Sequence, residues 1–380
     1  MKAKKFDVVI IGAGITGLLL QFKLLEIGCR VLLIEKNAVL AKGPSTNCEG
    51  ILHRGVYHGY AIDNIEEAIS VARKCNYGYE QILSKYPQVV EEMLLETVAI
   101  IQDKTNTSKA TERWDKAGVW HETISYEHAQ RILPEAKLSE DFGFFKAKEK
   151  SINTRLLLHL IQNQIKGSSN AEILNGVTDI KFIDKNSLAA IMANGEYEIV
   201  ESDFVVYASG KGTKAIFERE HKMSLPIKIF KAHLLTTSRL CKNNIYCLDE
   251  GQVTIFHHSD KTIVGMTKYN KECTGDDIEI DPEAVDELLS KTSNYLDIKG
   301  AYIKPYWCHK VDYGQNGLYH SLDTQLHEPI PNHFVALPGK LTEAPWICDH
   351  LVREIFTRMN RSDIAQRPCD KFFETLKSKV

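Results

Sequence analysis

Three glycines constrain this chain more than any other feature. An apolar run, Val8-Val9-Ile10-Ile11, leads directly into Gly12-Ala13-Gly14-Ile15-Thr16-Gly17, and apolar residues dominate from Leu18 to Ile27. That order predicts a strand, a tight turn and a buried helix, with a separate reason for each glycine. Gly12 permits the turn, Gly14 lets backbone approach a bound group with no Cβ between, and Gly17 lets the helix pack closely on the strand. Gly28 closes the helix, and Arg30-Val31-Leu32-Leu33-Ile34 forms a second strand that delivers Glu35 eighteen residues after Gly17. A helix N-terminus favours phosphate, and a carboxylate at Glu35 can accept hydrogen bonds from both hydroxyls of a ribose. The pattern therefore predicts a dinucleotide site, and the charge of Glu35 argues against a 2′-phosphate and hence against NADP. A grip beginning this early, followed by a remainder that is not doubly wound, points to FAD rather than NAD.

A chain of 380 residues exceeds what one hydrophobic core usually holds, so two domains are expected. With 47 Lys and Arg against 50 Asp and Glu and no long basic run, nucleic acid is not an expected partner. No stretch approaches the roughly twenty apolar residues of a membrane span. The opening Met1-Lys2-Ala3-Lys4-Lys5 superficially resembles a secretory leader, but the apolar run behind it is interrupted by the glycines and belongs to the nucleotide site. Nine scattered cysteines without a Cys-x-x-Cys pair read as reduced thiols of a cytoplasmic protein, with neither disulfides nor a metal site.

Along the chain, residues 37 to 58 are rich in Gly, Ser, Asn, Cys and His and read as a functional loop. Asp63 or Asn64 caps a helix through Cys75, and a second helical stretch runs from Tyr77 to Lys85, before Pro87. Glu96 to Ile101 and Phe142 to Lys148 read as strands and Ser125 to Ile132 as a short helix. They lack strand–helix alternation and suggest an inserted domain. A helix from Ser151 or Asn153 to Gln164, a strand from Glu172 to Ile180 and the apolar run Asp203 to Ala208 return to the first domain. That run ends in Ser209-Gly210-Lys211-Gly212, small residues suited to a nucleotide crossing a strand end. Residues 225 to 267 and 302 to 318 are β-rich, with a helix opening at Asp281-Pro282-Glu283 between them. His333 to Leu337 is a last strand, and Thr342 caps a helix from Glu343 past Phe356. The expected fold is α/β: a Rossmann-like domain (1–85, 150–215, 330–380) interleaved with an α+β domain on an antiparallel sheet (86–149, 216–329).

These residues resemble the FAD-dependent oxidoreductases of the D-amino-acid oxidase and glycerol-3-phosphate dehydrogenase type, with L-2-hydroxyglutarate oxidases as the nearest likeness. Asp7 to Gly17 with Glu35-Lys36 is similar to the family's FAD entry motif. Cys48-Glu49-Gly50-Ile51-Leu52-His53-Arg54-Gly55-Val56-Tyr57-His58 resembles its flavin-flanking segment, Trp307-Cys308-His309-Lys310 a strand that supplies an arginine to a substrate carboxylate, and Gly339 to Pro345 the C-terminal flavin loop. The chain departs at Cys48-Glu49, where hydroxyglutarate oxidases have Asn-Ser, and at Lys310, where arginine is expected. The resemblance implies FAD held by Gly12, Gly14, Ile15, Thr16, Gly17, Glu35 and Lys36, by Thr46, Cys48 and Gly50, by Val177, Ala208, Ser209 and Gly210, and by Gly339, Lys340, Leu341 and Thr342.

Oxidation of a CH–OH or CH–NH carbon by a flavin needs a hydride path to N5 and positive charge at the N1–C2=O end. The helix N-terminus after Gly339 and Lys340 suit the second task. Alcohols also need a base, for which His53, with a histidine's near-neutral pKa, is the first choice, ahead of His257, His258 and His309. Lys310 is the expected carboxylate partner, ahead of Arg54 and Lys231, and Tyr57, Tyr313 and Tyr319 are candidate hydrogen-bond donors. Cys48 or His53 could carry a covalent flavin link, although nothing in their spacing requires one.

The expected activity is hydride transfer to FAD from the CH–OH carbon of a small hydroxy acid, with oxygen or a quinone as electron acceptor and homo-oligomerisation left open. The rival readings are an amino-acid or secondary-amine oxidase, a catalytically silent flavin-binding regulatory protein and an NAD-linked dehydrogenase.

Overall fold

A computed structural model describes residues 3–249, 251–266, 271–314, 324 and 326–359. Among these residues the chain builds an eight-stranded sheet, a nine-stranded sheet and a small two-stranded ribbon.

In the first sheet, Lys4–Ile11 lies parallel between Val31–Glu35 and Tyr197–Tyr207, with Ala171–Asn175 and His333–Val335 parallel beyond them. Both faces of this strand are covered, which is why it reads as an unbroken apolar run instead of an alternating one. Val8 and Ile10 enter one core with helices Ile15–Glu26, Thr154–Ile165 and Ala344–Met359, whereas Val9 and Ile11 enter the core on the opposite face. Leu18, Leu20 and Leu24 are fully buried on the first helix, each contributing roughly 1.5–3 kcal/mol of burial. An antiparallel hairpin, Val177–Phe182 with Ser187–Met192, joins the sheet through Tyr197–Tyr207.

The second sheet is antiparallel except where Asn244–Cys247 pairs parallel with Thr97–Ile101. Its longest ladder joins Ile227–Thr237 to Ile303–Tyr313 over eleven residue pairs. Segments 97–147 and 227–313 thus share one sheet. The strand His327–Ile330, however, pairs with His333–Val335 in the first sheet. The boundary expected at 330 therefore falls earlier.

Several local expectations need correction. The two helical stretches before Pro87 are one helix, Ile65–Lys85, with Asn64 Oδ1 accepting from the amides of Glu66 and Glu67. Gly78 does not break it; its missing side chain admits the Thr342 carbonyl, which a Cβ would meet at 1.6 Å. The segment 37–58 is not wholly irregular: it contains helix Pro44–Asn47, strand Ile51–Leu52 and the start of helix Val56–Ala61. The strand expected over 172–180 splits at Gly176 (φ 73°). Helix Thr107–Ala117 was not anticipated, because only Ala110, Arg113, Trp114 and Ala117 are buried and the apolar stripe is sparse. Thr342 does not cap the last helix; the turn Leu341–Glu343 precedes it and Thr342 is buried.

Candidate active site

Four parallel strands of the first sheet end at the same edge, so Gly12, Glu35, Ala208 and Ala336 come together at one wall of a cavity of about 520 Å³. Gly12 (φ 109°) passes so close to the end of the neighbouring strand that a Cβ would lie 2.6 Å from the Ala208 carbonyl oxygen, and a Cβ on Gly17 would lie 1.9 Å from the Gly12 carbonyl oxygen. Gly17 therefore shapes the turn from behind and does not line the cavity. The helix that begins at Ile15 has no side-chain cap and no acid in its first turn, and Ser45 Oγ accepts the Ile15 amide at 3.1 Å. Glu35 is held in place by the amides of Ala13 and Asn37, each at 2.9 Å. Its carboxylate still has lone pairs for a ribose.

Opposite this wall the second sheet contributes Tyr246, Thr254, Trp307, His309 and Lys310, while Gly339, Lys340 and Leu341 close a third side. His53, Tyr57, Glu49, Gly50 and Cys48 enter from the loop between the sheets. That loop is braced by residues the sequence did not reveal. Glu149, buried within a charged-looking stretch, accepts the amides of Arg54 at 3.1 Å and Val56 at 3.2 Å, and the Thr342 hydroxyl accepts the His53 amide at 3.1 Å.

His53 Nδ1 lies 3.3 Å from the Tyr246 hydroxyl, and its ring meets His58 edge-on at 5.2 Å. Burial first, then Lys340 and Lys310, push its pKa down to about 3. The expectation of a near-neutral pKa is therefore wrong: an imidazole out of water beside two ammonium groups resists a further positive charge. Burial drives Tyr246 well above its ordinary range, so the phenol keeps its proton. Burial likewise raises the Cys48 thiol. Lys340 Nζ lies 3.5 Å from Glu343 in a nearly dry environment, and Lys310 Nζ lies 3.9 Å from Glu49.

Of the residues expected at the site, Gly12, Gly14, Ile15, Thr16, Glu35, Lys36, Cys48, Gly50, His53, Tyr57, Ala208, Ser209, Gly210, His309, Lys310, Gly339, Lys340 and Leu341 line the cavity. Others do not. Thr46 donates back to the Ala41 and Gly43 carbonyls, and Val177 belongs to the core on the far side of the first sheet. Arg54 turns away to Asn76 and Glu80, and Lys231 is bound by Asp277 and the Glu279 carbonyl. His257, held low at about 4 by burial, lies between Thr262 and Cys241 inside the sheet. His258 faces the Glu49 carbonyl and Glu91 behind the loop. Tyr313 stacks on His327 at 3.5 Å. Tyr319 lies outside the described residues.

The family model described as FAD dependent oxidoreductase (DAO) matches residues 7–351. The chain belongs to this family. No curated protein matches the sequence. Glycine oxidase from Geobacillus kaustophilus has a similar structure at 16% identity, with a TM-score of 0.71 over 94% of this chain and 96% of that one. L-alpha-glycerophosphate oxidase from Mycoplasma pneumoniae, with FAD bound, reaches 0.75 at 15% identity over 93% and 95%. L-proline dehydrogenase from P. horikoshii reaches 0.75 at 17% identity over 95% and 96%. These likenesses establish the fold. This member is an FAD-dependent oxidoreductase, and its cavity fits the cofactor: the wall at Gly12 leaves no room for a Cβ, the helix that begins at Ile15 has no acid in its first turn, and a carboxylate waits at the end of the second strand. Among the described residues no helix is long and apolar enough to cross a membrane, and no cluster of residues suits a metal ion.

Proposed function

We propose that this enzyme oxidises the CH–OH carbon of a small, L-2-hydroxyglutarate-like hydroxy acid, using oxygen or a quinone as the final electron acceptor. Bound FAD supplies the two-electron acceptor. The chain's own residues bind the acid and manage its proton. The observation that supports this reading is that Lys310 and His53 line one cavity, with Tyr246 against His53. Lys310 offers a point charge for the substrate carboxylate. His53, neutral at working pH, presents an imidazole able to accept the hydroxyl proton at a ring nitrogen. A carboxylate arriving at Lys310 offsets part of the positive field that depresses His53, so its basicity rises when substrate is present. Tyr246, which keeps its proton, orients the ring.

The CH–NH reading stays alive on one observation: the Glu49 carboxylate on the cavity wall. Mixing the FAD-loaded enzyme anaerobically with 2-hydroxy acids and with the matching 2-amino acids separates the two, because only the true donor bleaches the flavin. The eight described cysteines are all free, which supports a reducing, cytoplasmic setting.

A further inference from the structure

We infer that Glu343 is a positioning residue for Lys340: it holds that ammonium at the cavity and offsets part of its charge, so that the flavin is a weaker electron acceptor than Lys340 alone would make it. The inference rests on the proposed task of Lys340 at the N1–C2=O end of the flavin. The pairing starts in the backbone. Leu341–Glu343 is a single 3₁₀ turn in which the Glu343 amide donates to the Lys340 carbonyl at 3.2 Å, and such a turn brings residues three apart onto one side. Lys340 Nζ accordingly lies 3.5 Å from Glu343 Oε1, with the side chains 8% and 0% exposed. The turn is pinned in place, because the Thr342 carbonyl occupies the space that Gly78 leaves in helix Ile65–Lys85. Glu343 is also anchored from behind. The Thr324 hydroxyl donates to Oε2, and the Cys75 thiol lies 3.8 Å from Oε1. Burial first, then Glu343, pushes that thiol well above its usual range, so it keeps the proton it offers to the carboxylate.

A carboxylate shut away from water is costly unless a positive charge faces it. Lys340 faces Glu343 on one side and the cavity on the other. At 3.5 Å the pair attracts through space without the short contact of a charge-assisted hydrogen bond, so the carboxylate steers the ammonium and does not consume it. For a flavin in the cavity the two charges act in opposition. The ammonium favours the electron-rich reduced ring, and the carboxylate behind it removes part of that stabilisation. Low dielectric makes both effects larger than they would be in water. If Glu343 only filled space, an amide of the same shape would serve as well. Because it acts through its charge on Lys340, the amide and the carboxylate differ in what the flavin experiences.

The test titrates the oxidised, FAD-loaded enzyme with sulfite, which adds to the flavin, bleaches its visible band and leaves negative charge on the ring. Sulfite affinity therefore rises with positive charge at the N1–C2=O end. Glu343→Gln should tighten sulfite binding about tenfold or more and move the flavin's midpoint potential upward. Glu343→Asp, which keeps the charge but draws it back from Lys340, should shift both in the same direction by less. Lys340→Met should weaken sulfite binding. In that background Glu343→Gln should add nothing, because a buried carboxylate without its cation takes up a proton and is already neutral. Where the wild type forms no sulfite adduct, the midpoint potential, measured with reference dyes, is read in the same way. Equal sulfite affinity and potential in the wild type and Glu343→Gln overturns the inference, as does a Glu343→Gln effect that persists at full size beside Lys340→Met. If Glu343→Gln does not fold, Glu343→Asp decides, and unchanged or weaker sulfite binding overturns the inference. Lys340→Met separates this failure from that of the placement. If it weakens sulfite binding while the Glu343 variants match the wild type, only the role of Glu343 falls. If it changes nothing, Lys340 does not face the flavin, and the inference falls with that placement. None of these outcomes depends on whether the donor is an alcohol or an amine.

Discussion

His53 shows how far a residue's type can mislead about its behaviour. Its position beside the cofactor motif was readable in the sequence, but its chemistry was not, because burial and two lysines distant in sequence set its proton affinity. With a folded pKa of about 3 against an ordinary 6.5, the unfolded chain binds the extra proton first as pH falls. His53 therefore makes the folded state lose stability as pH drops from about 6.5 toward 3. Histidine-to-glutamine exchange at this site, His53→Gln, should flatten that part of the acid-denaturation curve, and unchanged acid sensitivity would contradict the assignment. The free enzyme's kcat/KM should likewise show no rising limb near pH 6.5 that disappears in His53→Gln. For the carboxylate anchor, Lys310→Met should lower kcat/KM for a carboxylated donor by roughly 10–100-fold, the worth of a charge-assisted hydrogen bond. An unchanged kcat/KM would remove Lys310 from the site. Arg54 and Lys231, equally basic in the sequence, are committed to Asn76, Glu80 and Asp277. Of these three cations, Lys310 lines the cavity and the other two do not, a distinction that only the folded chain makes.

At the scale of elements, what was legible followed from local rules. The strand–turn–helix of residues 4–26 and the caps at Asn64, Asn153 and Asp281 depend on neighbours within a few residues, and each stands where propensity puts it. The errors arise where distant contacts decide. The stretches expected through Cys75 and from Tyr77 to Lys85 are one helix, and inside it Gly78 leaves the space that the Thr342 carbonyl occupies. Nothing in the charged run Lys146-Ala147-Lys148-Glu149-Lys150 marks Glu149 as the buried acceptor of the Arg54 and Val56 amides beside His53. Substituting Gly78 by alanine should push the 339–342 segment off the helix, cost about 1–3 kcal/mol as overpacking, and loosen FAD as well; calorimetry and a flavin titration read the two effects. Gly17→Ala should act more narrowly. With a Cβ 1.9 Å from the Gly12 carbonyl oxygen, the helix must move from the strand, and the protein should purify with less flavin than the wild type.

Over the whole molecule, one sheet ends at a nucleotide-shaped edge and the other walls off the space in front of it, so the chemistry sits where the two meet. We propose the division into an FAD-binding part and a substrate part on this basis, since the cavity draws Glu35 and Ala208 from one sheet and Tyr246 and Lys310 from the other. FAD should therefore stabilise both parts together: at a hundredfold excess over its Kd the gain is about 2.7 kcal/mol, seen as one cooperative melt moving upward. Two separate melts, only one of them FAD-sensitive, would oppose a shared site. The central claim concerns the bond that is broken, and anaerobic reduction of the bound flavin tests it most directly. The account predicts that a 2-hydroxy acid bleaches the flavin and is converted to the 2-oxo acid. Bleaching by amines alone, with every hydroxy acid inert, would contradict it.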